Sequence, residues 1–168
     1  MNAEELKALQ APLKDKYRER PAEALVTLRA EGSLAEGVAC RVDTGRALVE
    51  AGLHPATGGT GAQACSGDML LQALAACAGV TLRAVATAFG AELRGGKVFV
   101  EGDLDFRGTL GVAKDAPVGF KALRLRFELD SPAPPELLDK VVAVTERCCV
   151  VLQTLRAAPT VVVTRGAL

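Results

Sequence analysis

Five cysteines and one histidine carry most of the reactive chemistry in this 168-residue chain. Cys40, Cys65, Cys77, Cys148 and Cys149 are odd in number and irregular in spacing, so in a reducing compartment they read as catalytic or buried thiols and not as a disulfide framework. His54 stands alone and there is no CxxC pair. Neither common zinc framework can be assembled from that set, and no metal or other cofactor is expected. A Ser–His–Asp or Cys–His arrangement would need His54 as its base, and nothing near it in sequence supports one; a surface position is the expected place for a lone loop histidine. GGTG at 58–61 lacks the GK[ST] ending of a phosphate loop and reads as a flexible turn.

Cys148 and Cys149 lie in the apolar segment TERCCVVLQTL, 145–155. Adjacent side chains on a helix point about 100° apart, so the two cannot serve one face. Cys149 falls on the stripe Leu138–Val142–Thr145–Cys149–Leu152, and Cys148 on its neighbour Leu137–Val141–Val144–Cys148–Val151–Leu155. Cys77 lies in ALAACAGV, among alanines small enough to admit another element closely. Free cysteine is also a common small core hydrophobe. The pattern therefore leaves packed thiols and a reactive pair both open, and it does not say which helix faces meet.

The elements that must position these thiols follow from periodicity. Residues 2–19 read as an amphipathic helix ended by Pro21, followed by three β-like runs at 24–32, 36–45 and 46–52. The glycine-rich loop 54–67 leads into a helix over 68–89, with Ser66 as cap and Asp68 in the first turn. Its apolar residues form two adjacent stripes, Leu70–Leu74–Cys77–Thr81–Ala84–Ala88 and Leu71–Ala75–Ala78–Leu82–Val85–Phe89, leaving Gln72, Arg83 and Thr87 as the wet side. This pattern predicts burial over most of the girth. Twenty-two residues span about 33 Å, near a membrane crossing, but Gln72, Arg83 and the many alanines favour a core helix. Strands follow at 97–108 and 120–130, then a helix over 134–157 launched by SPAPP, then a last strand TVVVTR at 160–165. The order α, βββ, α, ββ, α, β predicts an α+β fold with two long helices on antiparallel sheet.

Twenty basic residues balance 20 acidic ones, and with no Trp and one Tyr the chain offers neither a basic stripe nor stacking platforms for nucleic acid. The N-terminus has no apolar signal segment, which gives the cytoplasm as the expected location, and no membrane association is expected.

DMLLQALAAC, with Asp68 nine residues before Cys77, and Cys149-Val150-Val151 with Leu155 six positions on, carry a specific resemblance. Together with the two helices, the β-hairpin between them and the preceding β-unit, they resemble the OsmC/Ohr family of osmotically inducible and organic hydroperoxide resistance proteins, in its wider OsmC-like branch. The resemblance implies an OsmC-like domain over 23–168, with 1–22 a helical extension that shorter members lack, and an intertwined homodimer with active sites at the subunit interface. It implies a thiol-dependent peroxidase acting on organic hydroperoxides. Cys77 would be the peroxidatic cysteine, Cys149 the resolving one and Cys148 its packed neighbour, with a dithiol such as a lipoylated protein as reductant. The sequence departs from the peroxidase branch at three points. No Arg lies in the turn 30–37, Gly67 stands where that branch has Glu, and Val150 follows the second cysteine in place of Pro. Arg46, then Arg41, are the expected activating cations, and Asp68 a supporting acid. The alternatives are a non-catalytic protein binding a small apolar ligand, and a thiol redox sensor in the oxidative stress response.

Overall fold

A computed structural model describes residues 2–5, 8, 11, 31–35, 39–43, 48–111 and 113–166, of which 31–35, 39–43 and 48 are described by backbone alone. In the N-terminal stretch, residues 3–5, 8 and 11 are helical. Asn2 Oδ1 accepts from the Glu5 N–H at 2.8 Å, and Glu5 Oε2 accepts from the Asn2 N–H at 2.9 Å. This reciprocal capping satisfies donors that a helix start leaves orphaned. The rest of the expected helix 2–19 lies outside the described residues.

The β-unit is a sheet in the order β1 (Glu31–Ala35), β2 (Ala39–Asp43), β3 (Leu48–Gly52) and the short β4 (Ala64–Cys65). The first three are antiparallel, and β4 runs parallel to β3. Of the first expected strand, 24–32, residues 24–30 lie outside the described residues; strand pairing is described over 31–35, where the β2 register sets Val42 opposite Gly32 and Arg41 opposite Ser33. The stretch expected to turn is strand instead.

Helix α1 (Ser66–Ala88) begins directly after β4. Cys65, not Ser66, occupies the cap and makes no side-chain cap bond; Ser66 is already helical and Asp68 lies in the first turn. The helix closes at Phe89 with two bonds, Gly90 N–H to Thr87 O and Ala91 N–H to Ala86 O. That closure requires Gly90 at φ 68°, a left-handed conformation that costs glycine little. It turns Ala91 back into the core.

β5 (Gly95–Leu104) and β6 (Phe120–Asp130) form an antiparallel pair. The expected alternation holds in β6: Leu123, Leu125, Phe127 and Leu129 face inward while Arg124, Arg126, Glu128 and Asp130 are exposed. Arg124 clamps the outer face, bonding Glu101 at 3.0 Å and Asp103 at 2.5 and 2.8 Å. Gly102 has no side chain for a physical reason, since a Cβ there would lie 2.5 Å from the Phe120 ring.

Beyond β6, Pro134 and Pro135 open α2 (Pro135–Cys148), with proline tolerated where the helix lacks bonds anyway. The expected continuous helix 134–157 is broken. Cys149 is extended, at φ −72° and ψ 108°, and a short α3 (Val150–Arg156) follows. Residues 158–166 form no helix or strand, so the expected last strand 160–165 is also corrected. Val161, Val162 and Val163 are 74%, 81% and 89% exposed. Three β-branched residues favour extended backbone, but a strand needs a hydrogen-bonded neighbour, and none is found for them among the described residues.

The core lies between α1 and its two neighbours, β5–β6 on one side and α2–α3 on the other. One cluster joins Leu82, Ala86, Ala91 and Val141; another joins Leu74, Ala78 and Cys149; Phe127 packs against both. Small residues set the spacing: a Cβ added at Gly79 would touch Val98 at 3.5 Å. Burial over most of the α1 girth is not what a single chain provides. The buried residues Leu74, Ala78, Leu82 and Ala86 form one line, while Ala73, Ala76 and Val80 are exposed, Val80 by 73%. By length and composition α1 is apolar enough to cross a membrane. Its line of buried side chains and its packing on β5 and α2 give it a core role in this fold.

Leu82→Ala removes a side chain 4% exposed from the first cluster. The expected loss is about 3 kcal/mol of unfolding free energy, read as a lower urea midpoint with unchanged m-value.

Candidate functional site

Cys77 lies midway along α1, half-buried at the edge of the cluster containing Cys149. Cys149 occupies the α2–α3 break and is 0% exposed. The fold thus brings the two expected thiols together, and the break decides how they meet. Up to Cys149 the helical bonding persists, with Cys149 N–H on Thr145 O at 2.9 Å. At ψ 108° the following peptide is turned roughly 150° from its helical orientation. The N–H groups of Val150 and Val151 are thereby released from the carbonyls of Glu146 and Arg147, and both act to lower the pKa of Cys77.

Four donors converge on Cys77: the Val151 N–H, the Cys149 thiol, the Thr81 hydroxyl from the next turn of α1 and the Val150 N–H. Burial pushes the Cys77 thiol up, but these donors together outweigh it and hold its pKa below that of an ordinary cysteine. Cys149 moves the other way. Burial pushes it up, more than the Leu152 and Val151 N–H groups offset, and donating to the adjacent Cys77 raises it further. One thiol is disposed to ionise and its neighbour to keep its proton.

The remaining candidates are less central. Cys148 was expected to be packed, yet it is exposed, because the chain turns between 148 and 149 and only Cys149 enters the core. Asp68 lies nine residues before Cys77 on α1, about 13 Å along the axis, so one chain does not bring them together. Arg41 is placed by backbone only, in β2 opposite Ser33 and Glu50. Arg46 and Cys40's side chain lie outside the described residues. Among the described residues, none of the donors acting on Cys77 is an arginine. Among the described residues no cluster of His, Cys, Asp and Glu could hold a metal ion.

His54 and Cys65 mark a second feature, at the start of α1. His54 is half-buried, its Nδ1 accepts from the Ala56 N–H at 3.0 Å, and its ring stacks on Phe106 at 4.8 Å. Two adjoining clefts, about 410 and 370 Å³, share His54, Cys65, Gly67, Leu104, Phe106 and Phe120 in their walls, and Asp68 lines the smaller.

Sequence reasoning missed Thr81, Val150 and Val151. Thr81 was legible as the residue one turn from Cys77; the two valines act through their backbone, which no side-chain pattern reveals.

The sequence profile of the OsmC-like protein family matches residues 59–164. No curated protein matches the chain. Solved structures resemble it at low identity. An OsmC-like protein from Mycoplasma pneumoniae is 17% identical with a TM-score of 0.67, over 79% of this chain and 89% of that one. An organic hydroperoxide resistance protein OsmC from Legionella pneumophila is 18% identical with a TM-score of 0.62, over 79% and 91%. An organic hydroperoxide resistance protein from Elizabethkingia anophelis is 15% identical with a TM-score of 0.64, over 80% and 91%. At these identities the likeness establishes a shared fold.

Because its folded-state pKa is lowered, Cys77 reaches the thiolate at lower pH than a free cysteine, near 8.5. Iodoacetamide labelling against pH should give a midpoint for Cys77 below that of the exposed Cys148 in the unfolded chain. Thr81→Val, which removes one donor, should move that midpoint upward.

Proposed function

The chain belongs to the OsmC-like protein family, and from that premise we propose that it is a thiol peroxidase reducing organic hydroperoxides through Cys77 and Cys149. The observation that carries the reading is the packing of Cys77 against the buried cluster that holds Cys149, with the two pKa values displaced in opposite directions. The Cys77 thiolate attacks the distal oxygen of the hydroperoxide. The S–O bond forms as the O–O bond breaks, and the alkoxide leaves as an alcohol after taking a proton. Cys149 then attacks the sulfenic sulfur; the S–S bond forms, and the hydroxyl departs with the Cys149 proton as water. A dithiol, such as dihydrolipoamide on a carrier protein, returns both thiols by exchange and is itself oxidised to a disulfide. The backbone amides and Thr81 contribute to stabilising the thiolate in this reading.

The protein acts as a homodimer in this reading. Cys77 opens beside Ala76, Ala73 and Val80, the bare face of α1, and Val161–Val163 extend from the chain unpaired. Apolar surface of this kind is stabilised when a second copy covers it.

The clefts beside His54 favour a second reading, a non-catalytic protein that binds a small apolar molecule. Turnover decides between them. With cumene hydroperoxide and dihydrolipoamide, wild type should consume peroxide catalytically, Cys77→Ser should be inactive, Cys149→Ser should lose dithiol-supported turnover, and Cys148→Ser should retain activity. Peptide mapping after mild peroxide should find Cys77 bridged to Cys149; a bridge from Cys77 to Cys148 or Cys65 defeats the assignment. No turnover in wild type leaves the binding reading.

Sedimentation at micromolar concentration should give a dimer, and Val80→Asp, which places a charge on the bare face, should shift it toward monomer. A wild-type monomer refutes this arrangement.

A further inference from the structure

The break at Cys149 needs a cause, because its neighbours do not supply the usual one. No proline follows Cys149, and Val150 retains an N–H that could close the helix onto the Glu146 carbonyl. That carbonyl is already taken. Gln153 Nε2 donates to it at 2.7 Å, while the Gln153 backbone N–H bonds the Cys149 carbonyl at 2.9 Å. One residue of α3 thus reaches both sides of the break. The Arg156 guanidinium, 3.6 Å from the Glu146 carboxylate, spans the same gap, but both groups are about half exposed and such pairs are weak. Gln153 itself is half-buried. We propose that Gln153 is a positioning residue, whose side-chain amide replaces the missing helical bond at Glu146 and so holds the main-chain break that turns Cys149 into the core beside Cys77 and frees the Val150 and Val151 amides.

Removing the Gln153 amide leaves the Glu146 carbonyl without a partner. Its nearest remedy is the Val150 N–H, which would swing back into a continuous helix and carry the Val151 N–H away from Cys77. What remains around Cys77 would be poor in replacement donors. The side chains that share its cluster from β5, β6 and α3, among them Val98, Val100, Leu125 and Phe127, are all apolar, and Cys149 is the titratable group acting on Cys77 among the described residues. Thr81 would persist as a donor, on a helix that the change does not touch.

This inference deepens the peroxidase reading, but the state of the Cys77 thiol can be measured without turnover. Cys77 alkylation by iodoacetamide is followed against pH in wild type, Gln153→Ala, Gln153→Glu and the double variant Gln153→Ala/Val150→Pro, with far-UV circular dichroism as the check on folding. Both single variants should alkylate about fivefold more slowly at pH 7, a rise of roughly half to one pH unit in the midpoint. Proline at 150 has no N–H to close the helix and favours extended backbone at residue 149, so the double variant should recover the part of the shift that belongs to the Val151 N–H, while the smaller contribution of the Val150 N–H stays lost. A folded Gln153→Ala with the wild-type midpoint overturns the proposal, as does a raised midpoint that proline leaves unchanged. If wild type fails to turn over hydroperoxide while the shift and its rescue are seen, the peroxidase reading falls and the role of Gln153 stands.

Discussion

A carbonyl that takes its hydrogen bond from a side chain instead of the backbone governs this structure. The Glu146 carbonyl accepts from Gln153 Nε2, and the main chain at Cys149 leaves the helical path. Two features follow from that departure. Cys149 turns into the core, reaching 0% exposure, while its neighbour Cys148 remains in solvent. The amides released beyond the break act to lower the pKa of Cys77. A straight helix would have kept both amides in its own ladder and pointed the two cysteines only by their angular spacing.

Activation by neutral donors has a different character from activation by a cation. A guanidinium acts over distance and is screened by salt; backbone N–H groups act at contact and need a fixed geometry. In a cluster bordered by Val98, Val100 and Leu125, contact donors among the described residues lower the Cys77 pKa without the desolvation cost of a buried charge. The arrangement therefore asks more of the backbone near Cys149 than of any single side chain, which places weight on what fixes that backbone.

The same economy appears in α1. Ala78 and Gly79 let the helix lie close on β5, and Leu74 and Leu82 fill the spaces on either side. Closeness on this face leaves Ala73, Ala76 and Val80 uncovered on the other. A fold with so much apolar surface on its central helix is readily completed by a second chain, and the site sits beside that surface. Solved structures in the OsmC-like group share the overall arrangement at 17% and 18% identity, consistent with a core that tolerates substitution as long as the small and large positions keep their pattern.

The periodicity of 120–130, the apolar run of α1 and the two cysteine-bearing helices were legible in the sequence, because strand and helix faces repeat every 2 and 3.6 residues whatever packs on them. So were Cys77 and Cys149, whose setting matched a known pattern. The break at Cys149, the exposure of Cys148 and the unpaired run Val161–Val163 were not, since each depends on which hydrogen-bond partners lie nearby in space. Nothing in TERCCVVLQTL distinguishes a continuous helix from a broken one, because the residues there favour either. Composition and periodicity determined where the thiols lie along the chain. Tertiary structure decided which of them meet and which donors face them, because a hydrogen bond depends on distance and angle between groups that the sequence places far apart.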